Sequence, residues 1–193
     1  MPLSAVNAAY FKSAATRCEQ GDIFRDITLI EWAEVRDDKI SLAERTLQYC
    51  VLLSQDCDLE HDFNNRADTA ALKKDKFLQS LLICPAYPAE DFRAGNHLQE
   101  FGMKMENFNS ERFGIIKRNS HPRYHFLDED QDNQVPPLAV DFKHYLTVPR
   151  EVFYKDHFQD HYVATIEIMY RDNLSGRFAH YLSRIGLPEL VSQ

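Results

Sequence analysis

The stretch YCVLLSQDCDLEHDF, Tyr49 to Phe63, decides the interpretation of the fold, because an apolar run ends there in acidic and thiol groups. Residues 46–54 read TLQYCVLLS, and a run this apolar is typical of a strand buried on both faces. The Asp56-Cys57-Asp58 sequence would then follow directly on a buried strand. Three roles are open for it: a catalytic nucleophile, a metal site or a structural turn.

Cys57 is a poor candidate for the nucleophile. A reactive thiolate needs a neighbouring cation, histidine or helix N-terminus, whereas two flanking carboxylates disfavour a further negative charge. Only a basic neighbour such as Arg25 or Arg123 would offset them.

The acidic residues leave two further alternatives. Asp56 and Asp58, with His61 close by, offer hard ligands for a divalent cation, although their spacing matches no closed zinc site and no EF-hand loop. Alternatively, Ser54 and the aspartates bond to nearby backbone N–H groups and fix a tight turn, while Cys57 packs inward.

The sequence on either side of this stretch predicts an α+β fold. Segments rich in β-branched, aromatic or other apolar residues predict strands at 22–35, 46–54, 78–88, 113–117, 123–127, 138–148 and 162–168. Helices are predicted at 4–19, 69–77 and 89–108. Residues 55–68 and the acidic segment 128–137 are expected to be loops.

The clearest helix is the last one. An apolar stripe with a period near 3.6 residues runs along it, and a glycine and a proline end it; the residues are Tyr170, Leu174, Phe178, Leu182, Ile185, Gly186 and Pro188. We therefore predict a single domain over 1–193, with an N-terminal helix at 1–20, a small, mostly antiparallel barrel with helical insertions at 21–168, and a C-terminal helix at 169–187.

Composition narrows the function classes. The 193-residue chain carries a formal net charge of −8, which argues against tight nucleic-acid binding. No run of 18 apolar residues and no signal peptide is visible, so no membrane span and a cytoplasmic location are expected. The four cysteines match no zinc-finger or disulfide pattern, which indicates free thiols. With no glycine-rich phosphate loop, no nucleotide cofactor is expected, and no other cofactor is predicted.

Two other sets of residues are candidate sites. In KRNSHPRYHF, 117–126, Arg123 and Tyr124 could hold a phosphate and stack a base, or the segment is a strand edge protected by its charges. His157 and His161, four residues apart, would share a face of a helix, either as a metal pair or as a solvent-exposed pair.

The order of the strands resembles the PemK/MazF-like toxin barrel. The segments that carry the resemblance are GDIF at 21–24, CVLLS at 50–54 and LLICP at 81–85. It covers about the first 90 residues and implies an SH3-like barrel that pairs into a homodimer. The catalytic positions of the toxins differ here: Gln48 and Tyr49 stand where those toxins carry Arg-Pro, and Cys84-Pro85 where they carry Thr or Ser.

A second resemblance covers most of the chain. VLLSQDCDL at 51–59 and RFAHYLSRIGLP at 177–188 look like segments of a set of uncharacterised bacterial and phage proteins. These carry a Cys-Asp-Leu motif after a strand and end in an Arg-Ile-Gly-Leu-Pro helix. The resemblance implies no activity.

Together these observations predict a non-catalytic interaction module of bacterial or phage type, connected with toxin or defence systems, that binds a protein rather than a nucleic acid. Its binding residues would be Ser54, Asp56, Asp58, Arg123 and Tyr124. One alternative is an endoribonuclease or other phosphodiester-cleaving enzyme with a rebuilt site, in which Asp56, Asp58, Arg123 and His125 serve as acid, base and phosphate binder. The other is a metal-dependent hydrolase at Asp56, Asp58 and His61.

Overall fold

The strands form one sheet, and successive side chains along each strand point alternately to its two faces, both of which are covered. In neighbouring strands, Ile23 and Val51 pack into one hydrophobic cluster while Phe24 and Cys50 pack into another. This period of two is the geometric signature of a strand. The structure is a computed structural model and describes residues 9–13, 16–68 and 74–184.

Eight strands and five α-helices lie within the described residues. The strands are β1 (Tyr10–Phe11), β2 (Asp22–Arg36), β3 (Lys39–Leu52), β4 (Ser80–Pro88), β5 (Tyr124–Leu127), β6 (Leu138–Asp141), β7 (Leu146–Pro149) and β8 (Tyr162–Ile166). The helices are α1 (Asp56–Ala67), α2 (Ala89–Ala94), α3 (Ser110–Lys117), α4 (Arg150–Asp156) and α5 (Ile168–Leu182). Single 3₁₀ turns lie at Gln99–Phe101 and Phe142–His144.

The strands form one antiparallel sheet in the order β1-β8-β2-β3-β4-β6-β5, and β7 also pairs with β4. This sheet curls into a half barrel, which confirms the prediction of a mixed fold with an antiparallel sheet. Helix α5 covers one face through Leu174 and Phe178. Helices α1 and α4 cover the other through Leu59 and Phe153.

Strands β2 and β3 continue past the rest of the sheet as a two-stranded ribbon. Among the described residues, β2 pairs with no strand but β3 after Phe24, and β3 with none but β2 before Tyr49. Asp37 and Asp38 close the ribbon with φ angles of 49° and 59°, the left-handed pair of a type I′ hairpin. We call residues 28–46 the arm.

Several predicted elements are wrong. Tyr10–Phe11 is a strand within the helix predicted at 4–19, of which residues 4–8, 14 and 15 lie outside the described residues. Residues 56–67 are helical although a loop was predicted, and 110–117 are helical although 113–117 read as a strand. In the α3 case, the side chain of Asn109 accepts a hydrogen bond from the backbone N–H of Arg112 and caps the helix.

Other segments are only partly as predicted. The helix at 89–108 is limited to 89–94 and one 3₁₀ turn, because Gly95 and Gly102 adopt left-handed φ angles of 74° and 69°. The strand at 138–148 is divided into β6 and β7 by a 3₁₀ turn. Of the helix predicted at 69–77, residues 74–77 lie outside any helix, and 69–73 fall outside the described residues.

The C-terminal helix is confirmed over Ile168–Leu182. Leu174 and Phe178 of its predicted stripe are buried, whereas Tyr170 and Leu182 are 44% and 50% exposed. Ile185, Gly186 and Pro188 lie outside the described residues. The prediction of a buried stripe is therefore confirmed at the centre of the helix, where it contacts the sheet.

Gly21 should tolerate a side chain less well than the exposed Gly176 of α5. Its φ is +87°, and an added Cβ would lie 2.6 Å from Cγ of Arg171 and 3.2 Å from Cβ of Ile166. We expect Gly21→Ala to lower the free energy of unfolding by about 1–3 kcal/mol, measured by urea denaturation. Gly176→Ala is the matched control, because nothing lies within 4 Å of that Cβ. It should raise stability by about 0.5–1 kcal/mol, and a loss at both positions would contradict the prediction.

Candidate functional site

Asp56 connects the end of β3 to the loop that precedes β2. It occupies the first turn of α1, and its carboxylate accepts two hydrogen bonds from Arg17, at 3.0 and 3.2 Å, and one from the Gln20 backbone N–H at 3.2 Å. Burial alone would raise the pKa of this carboxyl, but the bonds from Arg17 and Gln20 outweigh it, so the pKa lies below its ordinary value. The basic neighbours of Asp56 are thus Arg17 and, at 3.9 Å, Arg171, and the contact with Arg17 holds the loop before β2 against the first turn of α1.

The other residues of the predicted turn do not gather around Asp56. Asp58 and His61 are exposed, and among residues 9–13, 16–68 and 74–184 no group of three or more His, Cys, Asp or Glu is placed to hold a metal ion. Cys57 is exposed, so the expectation that it packs inward is wrong. Ser54 accepts a hydrogen bond from the Leu82 backbone N–H at 2.8 Å and ties β3 to β4.

Arg123 is engaged with a buried carboxylate. Its guanidinium donates to both oxygens of Asp141 at 2.7 and 2.6 Å, and Asp141 is fully buried. The Nδ1 atom of His144 lies 3.2 Å from the same carboxylate. Tyr124 is buried in a cluster of aromatic rings, 4.8 Å from Phe92 between ring centroids. Both side chains therefore have partners within the sheet edge.

His125 is buried beneath α5. Its Nδ1 accepts a hydrogen bond from Nε of Arg177 at 3.1 Å, and Arg177 also donates to the backbone oxygens of His121 and Tyr124, both at 2.8 Å. Burial, with a smaller contribution from Arg177, lowers the pKa of His125 to about 3. The imidazole is neutral near pH 7 and fastens α5 to β5.

The four residues named for a rebuilt catalytic site have separate partners. Asp56 is held by the loop before β2, whereas Arg123 and His125 belong to the region of β5, which β4 and β6 separate from β3 in the sheet. No hydrogen bond or ion pair between described residues connects Asp56 or Asp58 with Arg123 or His125. These residues do not form one constellation.

The histidine pair lies in the turn after α4, not on a helix face. The rings of His157 and His161 are 5.4 Å apart between centroids. His157 is 7% exposed, so the alternative of a solvent-exposed pair is wrong for this residue. His161 bonds through Nδ1 to the Arg25 backbone oxygen at 2.9 Å and covers the edge of β2 there.

The arm presents an apolar face to solvent. Val35 lies opposite Ile40 and Ala33 opposite Leu42, and these two pairs are two residues apart, so all four side chains share one side of the ribbon. Val35, Ile40 and Leu42 are 69%, 71% and 51% exposed. We call these four residues the arm face. Exposed apolar side chains gathered on one surface mark an interaction site more often than scattered ones do.

The opposite side of the arm differs. It carries Trp32 opposite Ala43 and Glu34 opposite Ser41. Trp32 is 53% exposed. A register shift between Ile30 and Trp32 places an extra residue in β2, a bulge of the kind that discourages uncontrolled strand pairing.

The charges of the arm are predominantly acidic. Residues 28–46 contain five acidic and three basic side chains. Arg36 pairs with Glu34 at 2.6 Å and Arg45 with Glu31 at 3.4 Å. Three acidic side chains and one basic one remain without an ion pair among the described residues; they are Asp37, Asp38, Glu44 and Lys39. The surroundings of the arm face are therefore negative.

Sequence reasoning missed the arm as a site. Its alternation of apolar and polar residues is visible in WAEVRDDKISL, 32–42. That pattern predicts a strand with its apolar face packed against another element, and it does not show that this face is exposed here.

Comparison with known proteins gives no relative for this chain: no protein-family model matches it, and neither does any curated protein or solved structure. None of the helices in the described ranges has the length and apolarity to span a bilayer.

Proposed function

We propose that the protein is a non-catalytic interaction module that binds a protein partner through the arm face. The observation that carries this proposal is the exposure of Val35, Ile40 and Leu42 on adjacent cross-strand pairs. Covering such side chains is favourable by about 25 cal/mol per Å² of apolar area. A two-stranded ribbon is also only marginally stable without a further strand or packed surface, so a partner would stabilise the arm as it binds.

The charge around the arm face selects the kind of partner. Asp37, Asp38 and Glu44 have no basic partner in the described structure. An apolar surface bordered by Lys or Arg would complement them, and such complementarity favours correct encounters. A second copy of the chain would bring the same acidic residues and its own net charge of −8. We therefore favour a basic protein partner over a homodimer.

We also propose that the sheet is related to the PemK/MazF-like barrel. This relation is supported by the adjacent pairing of the GDIF, CVLLS and LLICP strands, which are β2, β3 and β4, and by the curl of the sheet. A cytoplasmic bacterial or phage protein of a toxin or defence system is the setting that we propose for it.

The double variant Trp32→Phe/Leu42→Trp, which moves the single tryptophan of the chain onto the arm face, provides the test. A synthetic strand-forming peptide that alternates Val and Lys should bind this variant and reduce acrylamide quenching of its tryptophan fluorescence, because the peptide covers the arm face. The same peptide with Glu in place of Lys should bind at least about fivefold more weakly. Added salt should narrow this difference.

Two variants complete the test. Val35→Ser combined with Ile40→Ser should abolish the protection, whereas Met169→Ser, at a position 64% exposed on α5, should leave it unchanged. Protection that grows with protein concentration alone would show that a second copy is the partner. Equal binding of both peptides, or none, would contradict the proposed docking surface.

A further inference from the structure

A cavity of about 590 Å³ lies between the base of the arm and the β7–α4 region. Residues 28–31 and Arg45 of the arm line one side, and residues 146–149 of β7 together with Val152 and His157 line the other. Its volume falls within the range of about 300–1,000 Å³ found for small-molecule sites. It is distinct from the arm face.

The walls of this cavity are largely apolar. Leu29, Leu146 and Val148 belong to or pack against the hydrophobic cluster that α1 and α4 cover, and Val148 is only 3% exposed. Val152 extends the apolar wall from α4 and is 43% exposed. An apolar molecule would remove these walls from water, which is the main source of affinity in such sites.

The polar groups of the cavity give it a net negative charge. Glu31 and Asp156 contribute two carboxylates and Arg45 one guanidinium. The guanidinium already pairs with Glu31 at 3.4 Å and lies 4.8 Å from the ring centroid of Phe101. Burial, followed by the neighbouring His161, lowers the pKa of His157, so its ring is uncharged near pH 7. Asp156 is exposed at the rim and has no ion-pair partner among the described residues.

We propose that this cavity binds a small molecule with an apolar body and a cationic head, such as an aryl or alkyl amine. The body would occupy the space between Leu29 and Val148, and the ammonium group would lie at the rim near Asp156. This ligand site goes beyond the interaction function of the arm face, and either can exist without the other.

Three naphthalene derivatives that share one aromatic body test the charge preference: 1-naphthylmethylamine, 1-naphthylmethanol and 1-naphthoate. Titration calorimetry should show saturable binding at one site, with the amine about three- to fivefold tighter than the alcohol and the carboxylate weakest. Asp156→Asn should remove the advantage of the amine over the alcohol and leave the affinity for the alcohol unchanged.

Two further variants locate the site. Val152→Trp should fill the cavity and weaken the binding of all three probes by about tenfold, with circular dichroism confirming the fold. The double variant Val35→Ser/Ile40→Ser should bind them as the wild type does, even if it no longer binds the Val/Lys peptide. The inference is overturned if no probe binds saturably, if the carboxylate equals the amine, or if the arm variant loses the probes while Val152→Trp retains them.

Discussion

Replacing Asp62 by alanine should lower the free energy of unfolding by about 3–5 kcal/mol. Asp62 is 1% exposed and accepts hydrogen bonds from Nε of Arg66 at 2.7 Å, Nε of Arg150 at 2.8 Å and the Leu78 backbone N–H at 2.8 Å. Arg150 is itself buried, and its other acidic contact, Glu151 at 3.6 Å, is 70% exposed. The variant would therefore leave a buried guanidinium without adequate compensation.

The matched control is Asp58→Ala, four residues earlier on the same helix and exposed. It loses at most an interaction with the helix N-terminus, which is about 0.3–1 kcal/mol. Asp62→Asn should fall between the two, because the amide oxygen still accepts one bond but carries no charge. Urea denaturation measures all three. Equal losses for Asp62→Ala and Asp58→Ala would show that the ion-pair cluster does not support the fold as described.

Asp22→Asn should change the pH dependence of stability by up to about 4 kcal/mol. Burial raises the pKa of the Asp22 carboxyl from 3.8 to about 7. The carboxyl accepts hydrogen bonds from the Glu19 backbone N–H at 2.7 Å and the Thr165 hydroxyl at 2.7 Å, which lower the pKa but do not outweigh burial. The stability that the protonated side chain contributes is complete below pH 3.8 and is lost as the pH rises through 7. At 1.36 kcal/mol per pKa unit, this gap corresponds to about 4 kcal/mol.

The asparagine side chain can keep both contacts. Its oxygen would accept from Glu19 and its amide would donate to the Thr165 hydroxyl, which can turn its own proton toward the Tyr162 hydroxyl 2.8 Å away. Asp22→Asn should therefore gain stability relative to the wild type as the pH rises from 4 to 8. Denaturation midpoints across this range measure the gain, and parallel profiles for the two proteins would contradict the assignment.

His125 acts in the opposite direction in the wild type. Its pKa is lowered from 6.5 to about 3, so the stability that it contributes is complete above pH 6.5 and is lost as the pH falls toward 3. The two slopes oppose each other between pH 3.8 and 6.5. The pH dependence of stability in the wild type combines both contributions. Only the difference between the wild-type and Asp22→Asn profiles therefore isolates the contribution of the Asp22 carboxyl.

Local sequence patterns predicted most of the sheet. The strands near 22–35, 46–54, 78–88, 123–127 and 162–168 lie where apolar and β-branched residues indicate them. Helix α1 was missed because it is polar: Leu59 is its one buried apolar residue among residues 56–67, so no stripe appears. Helix α3 was missed because FGIIK has strand-forming residues, whereas the cap at Asn109 and packing against β5 decide its conformation.

The site could be predicted only in part. The sequence indicated that a Cys57 thiolate would need a basic neighbour, but the cation that pairs with the adjacent Asp56 is Arg17, 39 residues earlier, and no spacing rule connects them. The half-buried Arg123 pairs with Asp141 and the buried His125 with Arg177, and long-range strand and helix packing supplies both partners. The arm face depends on what does not pack against it, and a single sequence carries no signal for that.

The most direct measurement for the interaction function is photo-crosslinking in the cells from which the chain comes. A photoreactive residue at position 35 lies on the arm face, and one at position 34 lies on the opposite side of the same strand. We expect position 35, and not position 34, to crosslink to a different protein, at a segment where Lys or Arg borders apolar residues. Crosslinking to a second copy of the chain, equal yields from both positions, or no product from position 35 would contradict the proposed binding of a basic partner at the arm face.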